Sequence, residues 1–156
     1  MRLRVIAAGT RMPQWVSQGW QQYAGRMPAN CSLELLEIPL THRGRGVSDQ
    51  KAIQQEGERM LAALRPDHRV IAMDVAGHSR STEDLADELS RWRQDGRDVD
   101  FLIGGPDGFA PLVIDRAEQR WSLSPLTFPH GLTRVLVAEQ LYRAWTILQG
   151  HPYHRR

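Results

Sequence analysis

The residues able to do chemistry gather in the last third of the chain. Gly104-Gly105-Pro106-Asp107-Gly108 follows the apolar run Phe101-Leu102-Ile103. Trp121 to Pro129 (WSLSPLTFP) leads into His130, and the chain ends on Gly150-His151-Pro152-Tyr153-His154-Arg155-Arg156. Glycines behind a buried strand let a ligand come close to the backbone. In open α/β sheets, loops at the carboxyl ends of strands are where ligands bind. The glycine spacing is neither the dinucleotide fingerprint nor the phosphate loop, and no lysine follows it, so phosphate binding is disfavoured. Asp107 is the only charge in this loop, and Leu123–Phe128 carries none. A neutral or cationic ligand read through backbone hydrogen bonds fits such a pocket, and S-adenosylmethionine is one. Taken alone, the same glycines also suit a tight structural turn.

The tail adds groups that handle protons and phosphates. His151 and His154 have a spacing that raises the question of a metal, but no cysteine or carboxylate stands nearby at ligand spacing, so no metal is expected. Ser122 and Ser124 near His130 raise the question of a hydrolase. No nucleophile elbow accompanies them, which makes that reading weak.

Alternating strands and helices must position these groups. Leu3, Val5 and Ala7 alternate along a first strand, and Leu33–Ile38, Val70–Asp74 and Val99–Ile103 read as three more. Met12, Trp15, Val16, Gly19, Trp20 and Tyr23 fall on one helical stripe, which places both tryptophans in a core rather than against bases. Ile53 to Leu64 make a second helical face. Ser81 or Thr82 caps a third helix, which Asp95-Gly96 stops. A last helix spans about Leu132 to Leu148, with Glu139 and Arg143 as an i,i+4 pair and Gly150 as its stop. The tail from His151 is then extended and docks through Pro152 and Tyr153. Val70–Asp74 is apolar up to its closing aspartate, as inside a parallel sheet. The pattern predicts an α/β fold, a mostly parallel sheet flanked by helices, as one domain over residues 1–156.

Composition narrows the class. One cysteine, Cys31, excludes an internal disulfide and points to a reducing, cytoplasmic setting. The apolar N-terminal stretch is too short for a secretion signal, and no run is long enough to span a membrane. Of 20 basic residues only Lys51 is lysine. Arginine forks suit phosphates and stack on bases, which favours RNA, although a GC-rich coding bias gives the same count. In the polar Thr41–Asp49 loop, expected to be mobile, Arg43 and Arg45 either meet an RNA backbone or are simply solvated.

Three blocks taken together resemble a known family. They are Gly104-Gly105-Pro106-x-Gly108, Ser122-Leu123-Ser124-x-Leu126-Thr127-x-Pro129-His130, and Tyr142-Arg143-Ala144-Trp145 through His151-Pro152-Tyr153-His154-Arg155. With Val5–Pro13 and Asp95–Val99, they are similar to the RlmH family, ribosomal RNA large subunit methyltransferase H, of the SPOUT superfamily. The resemblance covers essentially the whole chain. Asp107 stands where the family commonly has glutamate. The resemblance implies a C-terminal trefoil knot, a homodimer, and methylation of N3 of a pseudouridine in helix 69 of 23S rRNA on the assembled 70S ribosome. It implies a donor cradle for S-adenosylmethionine made of Met73, Gly104, Gly105, Leu123, Ser124, Pro125, Leu126, Thr127 and Phe128. It implies a target side made of Arg143, Tyr153, His154 and Arg155, facing the donor of the partner subunit. His154 would then take the N3 proton. Another SPOUT target in rRNA or tRNA, a non-catalytic ribosome-binding protein, and an unrelated nucleotide-binding domain are the competing readings.

Overall fold

The computed structural model of the chain describes residues 1–154. β1 (Arg2–Ala8), β2 (Ser32–Ile38), β3 (Arg69–Ser79), β4 (Val99–Ile103) and β5 (Gln119–Ser122) form one sheet in the order β2-β1-β4-β3-β5. Every neighbouring pair is parallel. Helices cover both faces. α1 (Gln14–Ala24), α3 (Thr82–Asp95) and α5 (His130–Gln149) lie on one side, with Trp20, Leu89, Trp92 and Leu141 packed on Leu3, Val5 and Phe101. α2 (Asp49–Ala63) and the short α4 (Pro111–Arg116) lie on the other, where Met60 and Val113 meet Ile6, Val70 and Leu102. Successive strand residues therefore serve two different cores, as a doubly covered parallel sheet requires.

The four strands read from the sequence are present. β5 and α4 are additions. β5 has four residues and one large apolar side chain, Trp121. An edge strand tolerates such a sequence because only one side must pair. β3 also runs past Asp74. Both Met73 and His78 stand opposite Trp121, so residues 74–77 bulge out of the ladder.

The caps follow local chemistry. Ser81 accepts from the Asp84 N–H while Asp84 accepts from the Ser81 N–H, a capping box. Gly96 and Gly150 end α3 and α5 in the left-handed conformation, at φ 84° and 66°.

Three expectations need correction. Trp15 is 54% exposed while Trp20 is buried, because Trp15 sits about 100° around the helix from Val16, at the margin of the stripe. The tail is not extended. Pro152–His154 makes a 3-10 turn folded back on α5, with the Tyr153 ring edge-on to Tyr142 at 4.7 Å. The Thr41–Asp49 loop is tethered, since Arg43 donates to Glu56 and to Asp107.

One feature had no sequence reading. Arg4 and Asp100, in the middle of β1 and β4, are buried and form a two-pronged pair at 2.7 and 2.8 Å. His68 approaches the same carboxylate at 3.0 Å. Buried charges persist only when paired this completely.

Candidate functional site

The carboxyl ends of the central strands open into a cavity of about 960 Å³. This is the size range of small-molecule sites, at the edge of an α/β sheet where such sites form. Three turns wall it: the β3 bulge, the turn after β4, and the segment between β5 and α5. The first turn of α5 closes it with His130 and Thr133.

Each wall has a local reason for its shape. In the bulge, a Cβ on Gly77 would stand 2.6 Å from the Arg120 carbonyl carbon, so the β3 backbone presses directly on β5. After β4, a Cβ on Gly104 would meet the Gly108 carbonyl carbon at 3.2 Å. That turn closes with the Gly108 N–H donating to the Gly105 oxygen at 3.1 Å, and Gly108 takes φ 84°. After β5, the Ser122 hydroxyl donates to the Ser124 carbonyl at 2.9 Å, and the Leu126 N–H donates to the Ser124 hydroxyl at 3.0 Å. This tight turn pushes Pro125 outward. Met73, Gly104, Gly105, Leu123, Ser124, Leu126, Thr127 and Phe128 all line the cavity, whereas Pro125 is exposed and does not.

The charges differ from the expectation. Asp107 does not line the cavity, because its carboxylate is turned to Arg43. Asp74 and Arg120 do line it, as a pair at 2.6 Å across β3 and β5. Burial acts to raise the Asp74 carboxyl, but the Arg120 guanidinium and the Ala76 N–H outweigh it and hold it below the usual carboxylate range. The exposed carboxylate of Asp115 also lines the cavity. Burial, reinforced by nearby Arg134, pushes the His130 imidazole below its ordinary value, so the ring is neutral at neutral pH. Arg134 is itself buried in α5 and grips the Ala8 and Gly9 carbonyls, at 3.2 and 2.7 Å. It ties the helix start to the end of β1. The sequence signal for it was an arginine on the apolar N-terminal half of the helix, one turn after His130.

The tail residues assemble elsewhere. Arg143 donates to Glu139 at 2.8 Å, and the Tyr153 hydroxyl donates to the same oxygen at 3.1 Å. The Arg143 guanidinium lies 5.1 Å over the Tyr153 ring. Burial, with the Glu139 charge second, pushes the Tyr153 phenol up to about 12. The Glu139 hydrogen bond raises Arg143 as well. His154 Nδ1 is buried with no partner among the described residues. Arg155, the fourth target-side residue, lies outside the described residues. In the fold the tail and the cavity loops sit at opposite ends of α5, with Arg143 about 20 Å beyond His130 along the helix axis.

The family description "Predicted SPOUT methyltransferase" matches residues 1–154. The chain belongs to the SPOUT methyltransferase family. Among curated relatives, "Ribosomal RNA large subunit methyltransferase H" of Pseudomonas paraeruginosa is 59% identical over 99% of this chain and 100% of its own length. The protein of the same name from Pseudomonas putida is 58% identical over the same shares. Among solved structures, "The structure of a probable methylase family protein from Haemophilus influenzae Rd KW20" matches 99% of this SPOUT methyltransferase chain and 70% of its own. The TM-score there is 0.59 at 10% identity, a likeness of fold.

Proposed function

We propose that this methyltransferase acts on N3 of a pseudouridine in helix 69 of 23S rRNA, on the assembled ribosome and as a homodimer, with S-adenosylmethionine as donor. The observation that carries the reading is the 59% identity, spanning both chains almost end to end, with a ribosomal RNA large subunit methyltransferase H. The cavity supports the donor. Its volume and backbone walls suit a nucleoside, the Asp74–Arg120 pair is internally neutralised, and the Asp115 carboxylate suits positive charge.

In this reading Met73, Gly104, Gly105 and the Leu123–Phe128 segment hold adenine and ribose through backbone groups. The C-terminal segment is threaded as a trefoil knot around that site. When bound, the donor supplies an electrophilic methyl carbon next to a sulfonium. The chain's contribution is alignment and proton removal. N3 of the base must lose its proton as it gains the methyl carbon. His154 takes that proton, since an imidazole nitrogen can accept a proton from a reacting base. Tyr153, a phenol that stays protonated, orients the base. Arg143 or Arg155 holds a phosphate or the developing charge on the base oxygen. The separation along α5 supports a site shared between two chains, the tail of one facing the cavity of the other. A two-fold partner would supply the missing half of each site.

Transfer of a labelled methyl group to 70S ribosomes, followed by nucleoside mass spectrometry of helix 69, tests the reading. N3-methylpseudouridine in helix 69 is expected. Label on tRNA or on another rRNA site would retain the enzyme and change its target. Donor binding without transfer to any RNA would favour a non-catalytic ribosome-binding protein.

A further inference from the structure

The Gly104–Gly108 turn has few bonds of its own, and its tip is held from outside. Arg43 Nε and Nη2 donate to Asp107 Oδ2 at 3.1 and 2.8 Å. The Nη1 of the same guanidinium donates to the Thr41 carbonyl at 2.9 Å and to Glu56 Oε2. Glu56 is buried in α2, also accepts the Thr41 N–H at 2.9 Å, and stands directly behind the turn. Its Oε1 is 3.7 Å from where a Cβ on Gly105 would lie. One guanidinium therefore joins the Thr41–Asp49 loop, α2 and the cavity wall. Only a planar fork of donors reaches all three at once. Two residues along the loop, Arg45 is exposed and has no partner among the described residues.

We infer that Arg43 is a positioning residue for the methyl donor, clamping the Gly104–Gly108 wall of the cradle to buried Glu56 and to the Arg45-bearing loop. The inference deepens the proposed donor site and rests on it. Without the clamp, Asp107 is released and a glycine-rich turn has little else to hold its tip. Glu56 would also be left buried without a counter-charge, so the loop must open to hydrate it. The loop that presents Arg45 outward is thereby tied to the donor wall. An RNA phosphate engaging that loop is felt at the cradle, and donor binding is felt at the loop by the same factor.

Calorimetry with S-adenosylhomocysteine as probe, paired with thermal melts, tests the clamp on the full chain. Asp107→Asn should weaken binding about tenfold with little change in melting temperature, the effect of losing one charge-assisted anchor from an exposed turn. Arg43→Ala should lower both affinity and melting temperature. Arg43→Ala with Glu56→Gln should recover the melting temperature but not the affinity, because Asp107 remains unheld. Wild-type affinity in Asp107→Asn, or in that double variant, would overturn the clamp and leave the donor site standing. If the wild-type protein itself binds no probe, the donor reading falls and takes the clamp with it.

Discussion

The two ends of α5 are built on opposite principles. At its start, around His130, the walls are mostly backbone and apolar side chains, and they enclose space. At its end, around Arg143, side chains crowd together with their charges already paired: Glu139 takes both Arg143 and Tyr153, and Tyr142 stacks with Trp145 and meets Tyr153 edge-on. The first arrangement suits recognition of a ligand by shape and by fixed N–H and C=O groups. The second stores groups that can hold or move a proton, kept in a fixed geometry by one carboxylate. A site needing both cannot be completed by a single rigid helix, and each end should fail in its own way.

The largest effect is expected at the tail. His154→Ala should slow single-turnover methylation about 10²–10³-fold while leaving donor affinity unchanged, the range for a lost general base. An unchanged rate would remove His154 from proton transfer without touching the cavity.

The cavity end should show the reverse. In Gly77→Ala the new methyl group would stand 2.6 Å from the backbone of β5, so the bulge must shift. We expect about tenfold weaker donor binding and a stability loss of about 1–3 kcal/mol, as for overpacking elsewhere. Calorimetry and urea unfolding read the two separately.

Mixing the two variants separates a site shared between subunits from one held within a single chain. If tail and cavity meet only across subunits, a mixed dimer regains one sound site. Roughly a quarter of wild-type activity should then return when two impaired variants are unfolded, mixed and refolded together. No recovery above the separate activities would place both halves of the site within one chain.

The smallest effect is spectroscopic. Tyr153 should ionise only at about 12. A raised folded-state value means that its protonated form stabilises the fold. That stabilisation is complete below the unfolded value of about 10 and is lost as pH climbs through the folded one. Glu139→Gln should bring the ionisation down toward an ordinary phenol in an ultraviolet difference titration. A value unmoved by that change would leave burial and the neighbouring Tyr23 as the causes.

Much of this was legible before any coordinates. Val70–Asp74 and Val99–Ile103 announce buried parallel strands by mostly apolar runs, and Ser81, Gly96 and Gly150 mark helix ends through chemistry confined to a few neighbouring residues. The glycine turn behind β4, which walls the cavity, was legible too, because glycines directly after an apolar run are a local signature. β5 was not, since Gln119–Ser122 is a strand only through its pairing with β3.

Pairings between distant residues were beyond the sequence in the same way. Arg4 and Asp100 are 96 positions apart, and nothing local to either says that they meet. Asp107 read as a charge at the ligand loop until Arg43, 64 positions away, turned it aside. Periodicity, caps and turn chemistry depend on neighbours along the chain, so the order of amino acids sufficed for them. Which charge meets which, which tryptophan is covered, and how far the tail lies from the cavity depend on how the finished elements pack. Only the tertiary structure decided those, because they arise from contacts that no short stretch of chain contains.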